Sequence, residues 1–177
     1  MADYADALPA ALNVAQEDLE REFERLLAES STLAFRVAYA VLRQREDAED
    51  VAQEAMIRAH QGFRRIRERG SFRAWLVRTT WRLALDRQRA NRRRLRRELE
   101  HGRDLANGSA DDSVVRRDVW HAIDALPDRL RLAIVLAGIH GHDVRAVAEL
   151  LGVPEGTVKS RLFLARERMR KMLQWSR

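Results

Sequence analysis

Between Asp143 and Arg170 the chain reads DVRAVAELLGVPEGTVKSRLFLARERMR, and the spacing of three residues in it fixes two helices across a tight turn. Ala148 is small enough to let two helices approach closely. Four residues later, Gly152 suits the left-handed conformation that ends one helix and turns the chain. Six residues on, Val158 begins the inward face of a second helix, and Leu162 continues it. Val147, Leu151 and Val153 supply the apolar side of the first helix and the turn. Counted from Val144, this is the spacing of a helix-turn-helix. Outward on the second helix fall Thr157, Lys159, Ser160 and Arg161, whose donors suit phosphates and base edges. Arg161 occupies a position that is usually apolar, so Leu162 is expected to take its packing role. The competing reading is an ordinary helical hairpin with a basic surface, which the three matched positions and the donors disfavour.

A motif that grips a polyanion raises the question of where the rest of the charge lies. The net charge is −7 over residues 1–50, +10 over 51–100 and +3 over 101–177. An acidic front and a basic middle imply two kinds of partner, protein for one and nucleic acid for the other. Of 33 basic residues only Lys159 and Lys171 are lysine. Arginine pairs bidentately with phosphate and guanine, although a genome favouring arginine codons explains the bias equally well. The absence of cysteine excludes disulfides, thiolate zinc sites and cysteine nucleophiles. His140 and His142 flank Gly141 without a carboxylate-rich constellation, so no metal and no cofactor are expected. The opening MADYADALPAAL lacks the basic region of a secretory signal. The longest apolar run, Leu132 to Ile139, is too short to span a bilayer. A soluble, cytoplasmic protein without membrane insertion is expected.

Helical periodicity divides the chain. Residues 1–15 read as a loosely ordered tail, with Pro9 against a regular helix. From Gln16 the residues Leu19, Phe23, Leu26 and Leu27 share one helical face. Ser30 or Ser31 is expected to cap a further helix carrying Leu33, Val37, Ala40 and Val41. A third helix spans 45–60, where Ala48, Ala52, Ala55 and Ala59 form a small-residue stripe for close packing. Its second face, Asp50, Gln53, Glu54 and Ile57, is acidic and amide-bearing; it suits a basic protein surface, or is simply solvated. Residues 61–71 hold two glycines and set Phe63 and Ile66 among arginines. That mixture suits unstacked bases, while Phe63 fits the core below equally well. Ser71 is expected to cap a long helix with Phe72, Trp75, Leu76, Thr79 and Leu83 on its apolar face, and Trp81 beside them. Arg73, Arg78, Arg82, Arg87 and Arg89 line the remainder. Phosphate binding is expected for Arg87 and Arg89, and solvation for most of Arg92 to Arg97. Polar residues 101–113 read as a flexible linker, spanning on the order of 20 Å as a coil. A second helical unit over 114–177 ends in the helix-turn-helix. The expected fold is all-α, two small helical domains: a four-helix unit over 16–100 and a helix-turn-helix unit beyond the linker.

Four stretches together resemble one family: EDAEDVAQEA, GSFRAWLVRTTWRLALDRQR, LPDRLRLAIVL and GVPEGTVKSRLFLAR. In this order and separation they are similar to bacterial sigma-70 factors of the extracytoplasmic-function group, over roughly residues 20–173. The resemblance implies a sigma region 2 joined to a sigma region 4, with no room for a region 3. It implies docking on the clamp helices of core RNA polymerase through Asp50, Val51, Gln53 and Glu54. It implies capture of a flipped base of the −10 element within Phe63 to Ser71, including Arg64 and Arg65. The long helix then reads the −10 element and upstream phosphates, with Arg78, Arg82, Arg87 and Arg89 as candidates. Region 4 reads the −35 element through Glu155, Thr157, Lys159, Ser160, Arg161 and Phe163, with Arg166 on phosphates. Partners implied are core polymerase, promoter DNA (duplex at −35, melted at −10) and an anti-sigma factor, the free protein being a monomer. The chain departs from the family at Arg82, where Asn is usual, at Thr79-Thr80, at Leu164 in place of arginine, and at Ala146–Ala148.

Two other readings compete. A helix-turn-helix regulator binding duplex DNA without polymerase needs neither an acidic docking helix nor a loop for single strands. A nucleic-acid enzyme needs a catalytic constellation, and the sequence offers no carboxylate cluster, His constellation or phosphate-binding Gly loop.

Overall fold

Strong helical periodicity becomes helix throughout the parts of the chain that the computed structural model describes, residues 3–63, 72–100 and 114–175. The order is α1 (Asp3–Leu42), α2 (Arg45–Gly62), α3 (Phe72–Glu100), α4 (Val114–Asp124), α5 (Asp128–Ile134), α6 (Val144–Leu151) and α7 (Glu155–Trp175). A π-helical turn, Val135–Ile139, prolongs α5. No strand occurs among the described residues, and none of their helices is long and apolar enough to cross a membrane.

The first unit has three long helices where four were expected. α1 runs unbroken through Ser30 and Ser31, and it also takes in residues 3–15, expected as a tail. Ser30 is buried inside the helix, and the Ser31 hydroxyl donates to the Ala28 carbonyl at 3.3 Å instead of capping a new start. A serine that satisfies its hydroxyl on the preceding turn has no need to break a helix. Ala5, Ala7, Ala10 and Ala11, with the best helix propensity, favour helix on both sides of Pro9. The helix ends where Arg43 takes a left-handed φ of 55°, its N–H bonding the Tyr39 carbonyl at 2.9 Å.

The alanine stripe of α2 packs as expected. Ala48, Ala52, Ala55 and Ala59 are all buried, and α2 lies against α1 and α3. Short side chains allow that approach, and Val37, Val41, Leu76 and Val77 close the space around them. At the far end of the unit, Phe23 of α1, Phe63 and Phe72 meet edge to face, with centroids 5.0–6.1 Å apart.

The helix-turn-helix forms as its spacing dictates. Asp143 caps α6 by accepting from the Ala146 N–H at 2.7 Å. Gly152 takes φ 66°, ψ 42°, the left-handed cap that a side chain would strain. Val147, Val158, Leu162 and Ala165 are buried between α6 and α7, so Leu162 does take the packing role vacated by Arg161.

The two units do not stand apart. One continuous core includes Val77, Trp81 and Leu85 of α3 together with Ile123, Leu130 and Val147 of the second unit. α6 packs on α3, and the π-helical turn on α1. The expected linker, 101–113, lies outside the described residues.

Candidate nucleic-acid interface

The outward face of α7 follows from its buried one. Each residue advances the helix by about 100°, and Val158, Leu162 and Ala165 point inward. The opposite face therefore carries Ser160 and Phe163, flanked by Lys159. Phe163 is 64% exposed, an unusual place for a phenyl ring unless something covers it. Glu155, Lys159 and Arg166 are exposed, whereas Thr157 and Arg161 sit half-buried at the edge. Lys159 lies 4.0 Å from Glu155, a loose exposed pair that gives way readily to a stronger partner. The Ser160 hydroxyl donates to the Gly156 carbonyl at 2.9 Å, leaving its acceptor lone pairs outward.

The arginines expected to read the −10 element lie along α3. Arg82 is exposed. Arg78 reaches the Leu150 carbonyl of α6 at 3.4 Å. Arg87 bonds Asp47 of α2 at 2.9 Å and lies 3.8 Å from Asp50. Arg89 pairs with Asp86 at 3.4 Å and with Asp128 of α5 at 3.2 Å. Three of the four thus hold protein partners, two of them in the second unit.

On α2 most of the residues expected to dock on a partner reach the surface. Asp50, Gln53 and Ile57 are exposed, and Glu54 holds Arg58 at 2.6 Å. Val51 is different: at 1% exposed it belongs to the core, behind the face rather than on it. Phe63 also moves. It is 6% exposed and packed on Phe23 and Phe72, so its ring is a core element and cannot stack on a base without leaving the fold. Arg64, Arg65 and Ser71 lie outside the described residues.

Sequence reasoning missed the residues of the seam between the units. Asp124, at the end of α4, pairs with Arg43, just beyond α1, and lies 3.9 Å from Arg92 of α3. Arg131, with its side chain 7% exposed, bonds Asp128 at 2.8 Å and lies 3.7 Å from Asp124. Its guanidinium faces the Trp81 ring at 5.5 Å, and that of Arg43 faces Trp120 at 4.8 Å. The one available signal was an arginine set inside the apolar run from Leu130 to Leu136. Pairings that span 81 residues, as Arg43 with Asp124 does, leave no local pattern.

His140 and His142 also face the seam, and a cleft of about 130 Å³ there is lined by Arg73, Ala74, His142, Ala146, Glu149 and Leu150. Burial pushes His140 down to about 4, with His142 and Arg36 adding to the shift and the Arg36 carbonyl opposing it. Burial and Arg73 lower His142 as well, against Asp143. Both rings therefore fold neutral, and the unfolded chain binds more protons below its ordinary histidine pKa of 6.5. The stability they contribute is complete above about pH 6.5 and is lost as the pH falls toward 4. The native state should be less stable at pH 5 than at pH 7.5 by about 1–2 kcal/mol in urea unfolding. His140→Asn should remove most of that difference. Equal stabilities of the wild type at the two pH values would contradict the assignment.

A helix-turn-helix with an open recognition face, set beside a long arginine-lined helix, defines a helical DNA-binding protein. Residues 26–94 match the family described as sigma-70 region 2, and residues 116–169 match sigma-70 region 4. The ECF RNA polymerase sigma factor SigM of Mycobacterium tuberculosis is 33% identical over 151 residues, covering 85% of this chain and 76% of SigM. SigW of Bacillus subtilis, another ECF RNA polymerase sigma factor, is 31% identical over 154 residues, covering 79% of this chain and 82% of its own. In fold, the chain is similar to the sigma factor RpoE from Bartonella quintana, solved in complex with the anti-sigma factor NepR. The TM-score is 0.53 at 21% identity, over 89% of this chain and 99% of that one. The chain belongs to the extracytoplasmic-function sigma factors of the sigma-70 family.

Proposed function

We propose that this sigma factor docks on core RNA polymerase through the outer face of α2 and selects promoters with α3 and α7. Residues 16–100 act as region 2 and residues 114–177 as region 4. Asp50, Gln53 and Glu54 meet a basic surface of the polymerase, and Val51 fixes the helix behind them. Arg78, Arg82, Arg87 and Arg89 serve the −10 element and its upstream phosphates. Arg64, Arg65 and Ser71 belong to the adjoining segment that takes a melted base, a role from which the burial of Phe63 removes its ring. The polymerase supplies the chemistry; no catalytic step is assigned to this chain. The Bartonella quintana relative in complex with an anti-sigma factor supports a partner of that kind here. The free chain is proposed as a monomer.

The observation that carries the reading is the recognition helix: Lys159, Ser160 and Phe163 stand exposed directly beyond the left-handed turn at Gly152. In helix-turn-helix proteins that leading end enters the major groove. Lys159 and Arg161 test it. Lys159 is exposed near the leading end, while Arg161 lies about 200° further round, at the half-buried edge where the phosphates run. Lys159→Ala should cost roughly 1–3 kcal/mol and relax preference at one −35 position. Arg161→Ala should weaken all promoters alike and lower the salt slope by about one. Holoenzyme affinity for single-base −35 variants, at several salt concentrations, measures both. A uniform loss for Lys159→Ala removes it from the base readers.

A further inference from the structure

We propose that Leu164 makes the recognition helix a reader of thymine: its side chain packs on the C5-methyl group of one thymine in the −35 element, with Phe163 closing the contact from the side. The proposal rests on the reading of α7 as the helix that enters the major groove.

At about 100° per residue, the direction opposite Val158, Leu162 and Ala165 runs between Phe163 and Leu164. Phe163 is 64% exposed and Leu164 48%. Five large apolar side chains stand exposed among the described residues, and of these only Phe163 and Leu164 are consecutive. The space between α6 and α7 is filled from the other side of the helix. The fold therefore gives this apolar pair nothing to cover it.

Its surroundings say what does. Gly156, Ser160 and Leu164 recur every fourth residue and form one ridge on the outward side. A Cβ on Gly156 would meet nothing within 4 Å, so packing inside the protein does not call for a glycine there. Glycine and serine keep the ridge low at its leading end, which lets bases come close and carries Leu164 toward the groove floor. Lys159 and Arg166 flank the ridge on one side, Arg161 and Arg168 on the other; all but the half-buried Arg161 are exposed. An apolar pair between two rows of cations matches the major groove, where phosphates line both walls and base edges the floor. A protein partner would have to bury those cations along with the apolar pair.

The apolar group that the major groove displays is the thymine C5-methyl. The other base edges offer donors and acceptors, which a leucine would strip of water and leave unpaired. Leu164 thus attracts thymine and penalises the other three bases. At about 1.5 Å per residue it lies about 7 Å beyond Lys159, so its base pair stands about two steps from the one Lys159 meets. An arginine in its place would donate to guanine O6 and N7 instead.

The test uses holoenzyme formed with core RNA polymerase. It selects from duplexes randomised across the −35 region, and the selected duplex is remade with deoxyuridine, which lacks only the methyl group, at each thymine in turn. At one position deoxyuridine should lower affinity about fourfold, the worth of one buried methyl group. Leu164→Ala should bind thymine and deoxyuridine equally there and lose the preference for thymine. Leu164→Arg should move the preference at that position to guanine. The base preference that depends on Lys159 should stay intact in both variants. Leu164 is half exposed, so both should keep the fold, which circular dichroism checks. Selected duplexes without a fixed thymine, or a wild type indifferent to deoxyuridine at every thymine, overturn the proposal. A deoxyuridine penalty that survives in Leu164→Ala overturns it too. Failure of the wild type to select any −35 base overturns the reading of α7 as the promoter reader, and this proposal with it.

Discussion

Reversing two charges on α2, Asp50→Lys with Glu54→Lys, should sharply weaken binding to core RNA polymerase and leave the helical fold standing. Among the described residues Asp50 is tied to the rest of the protein by a 3.8 Å approach to Arg87, and Glu54 by its bond to Arg58 one turn away. Such exposed pairs contribute about 0.2–1 kcal/mol each, so the new lysines cost the fold little. At the interface the effect is of another size. A like-charge meeting across an interface costs several kcal/mol, and two of them should lower affinity about 100-fold or more. Anisotropy titration of labelled protein with core polymerase checks this, with circular dichroism as the control for folding. An unchanged affinity means that the face is merely hydrated.

Phe63→Ala should act on stability first. The ring fills the end of the region 2 core, with Phe23 at 5.0 Å and Phe72 at 5.8 Å, both edge to face. Removing a buried phenylalanine costs about 3–5 kcal/mol, a large share of the 5–15 kcal/mol that a whole domain has. The thermal midpoint should fall by about 10 °C. Should the variant melt at the wild-type temperature and fail only in opening promoter DNA, the ring grips a base after all. Phe63→Leu keeps most of the volume and should recover most of the loss.

The parts of this fold that could be read from the chain are those written in local spacing. The alanines of α2 recur every turn or so, and their burial follows whatever they pack against. Ala148, Gly152 and Val158 specify a turn whose geometry needs nothing from outside it. Phe63 was ambiguous because an aromatic among arginines fits a base or a core equally well. The answer came from Phe23 and Phe72, which spacing alone does not bring to it. Ser30 and Ser31 gave a real local signal for a helix start, and tertiary burial overrode it. Val51 was assigned to the docking face with its neighbours, but one step along a helix turns a side chain by about 100°, far enough to reach the core. The seam was the least legible part. A carboxylate at position 124 and a guanidinium at position 43 become partners only through the path of the whole chain.

The core that runs through both units has a consequence for how the molecule can be divided. Trp81 and Val77 belong to one end of the chain, Leu130 and Val147 to the other, yet all four help to exclude water from the same interior. The connecting stretch between residues 100 and 114 is thus not what keeps the halves in register. Cut there by a protease, the protein should migrate as a single species of unchanged size and fall into two fragments only in denaturant. Each fragment expressed without the other carries a raw apolar wall that must find a substitute, and another copy of the same fragment is the nearest surface able to provide it.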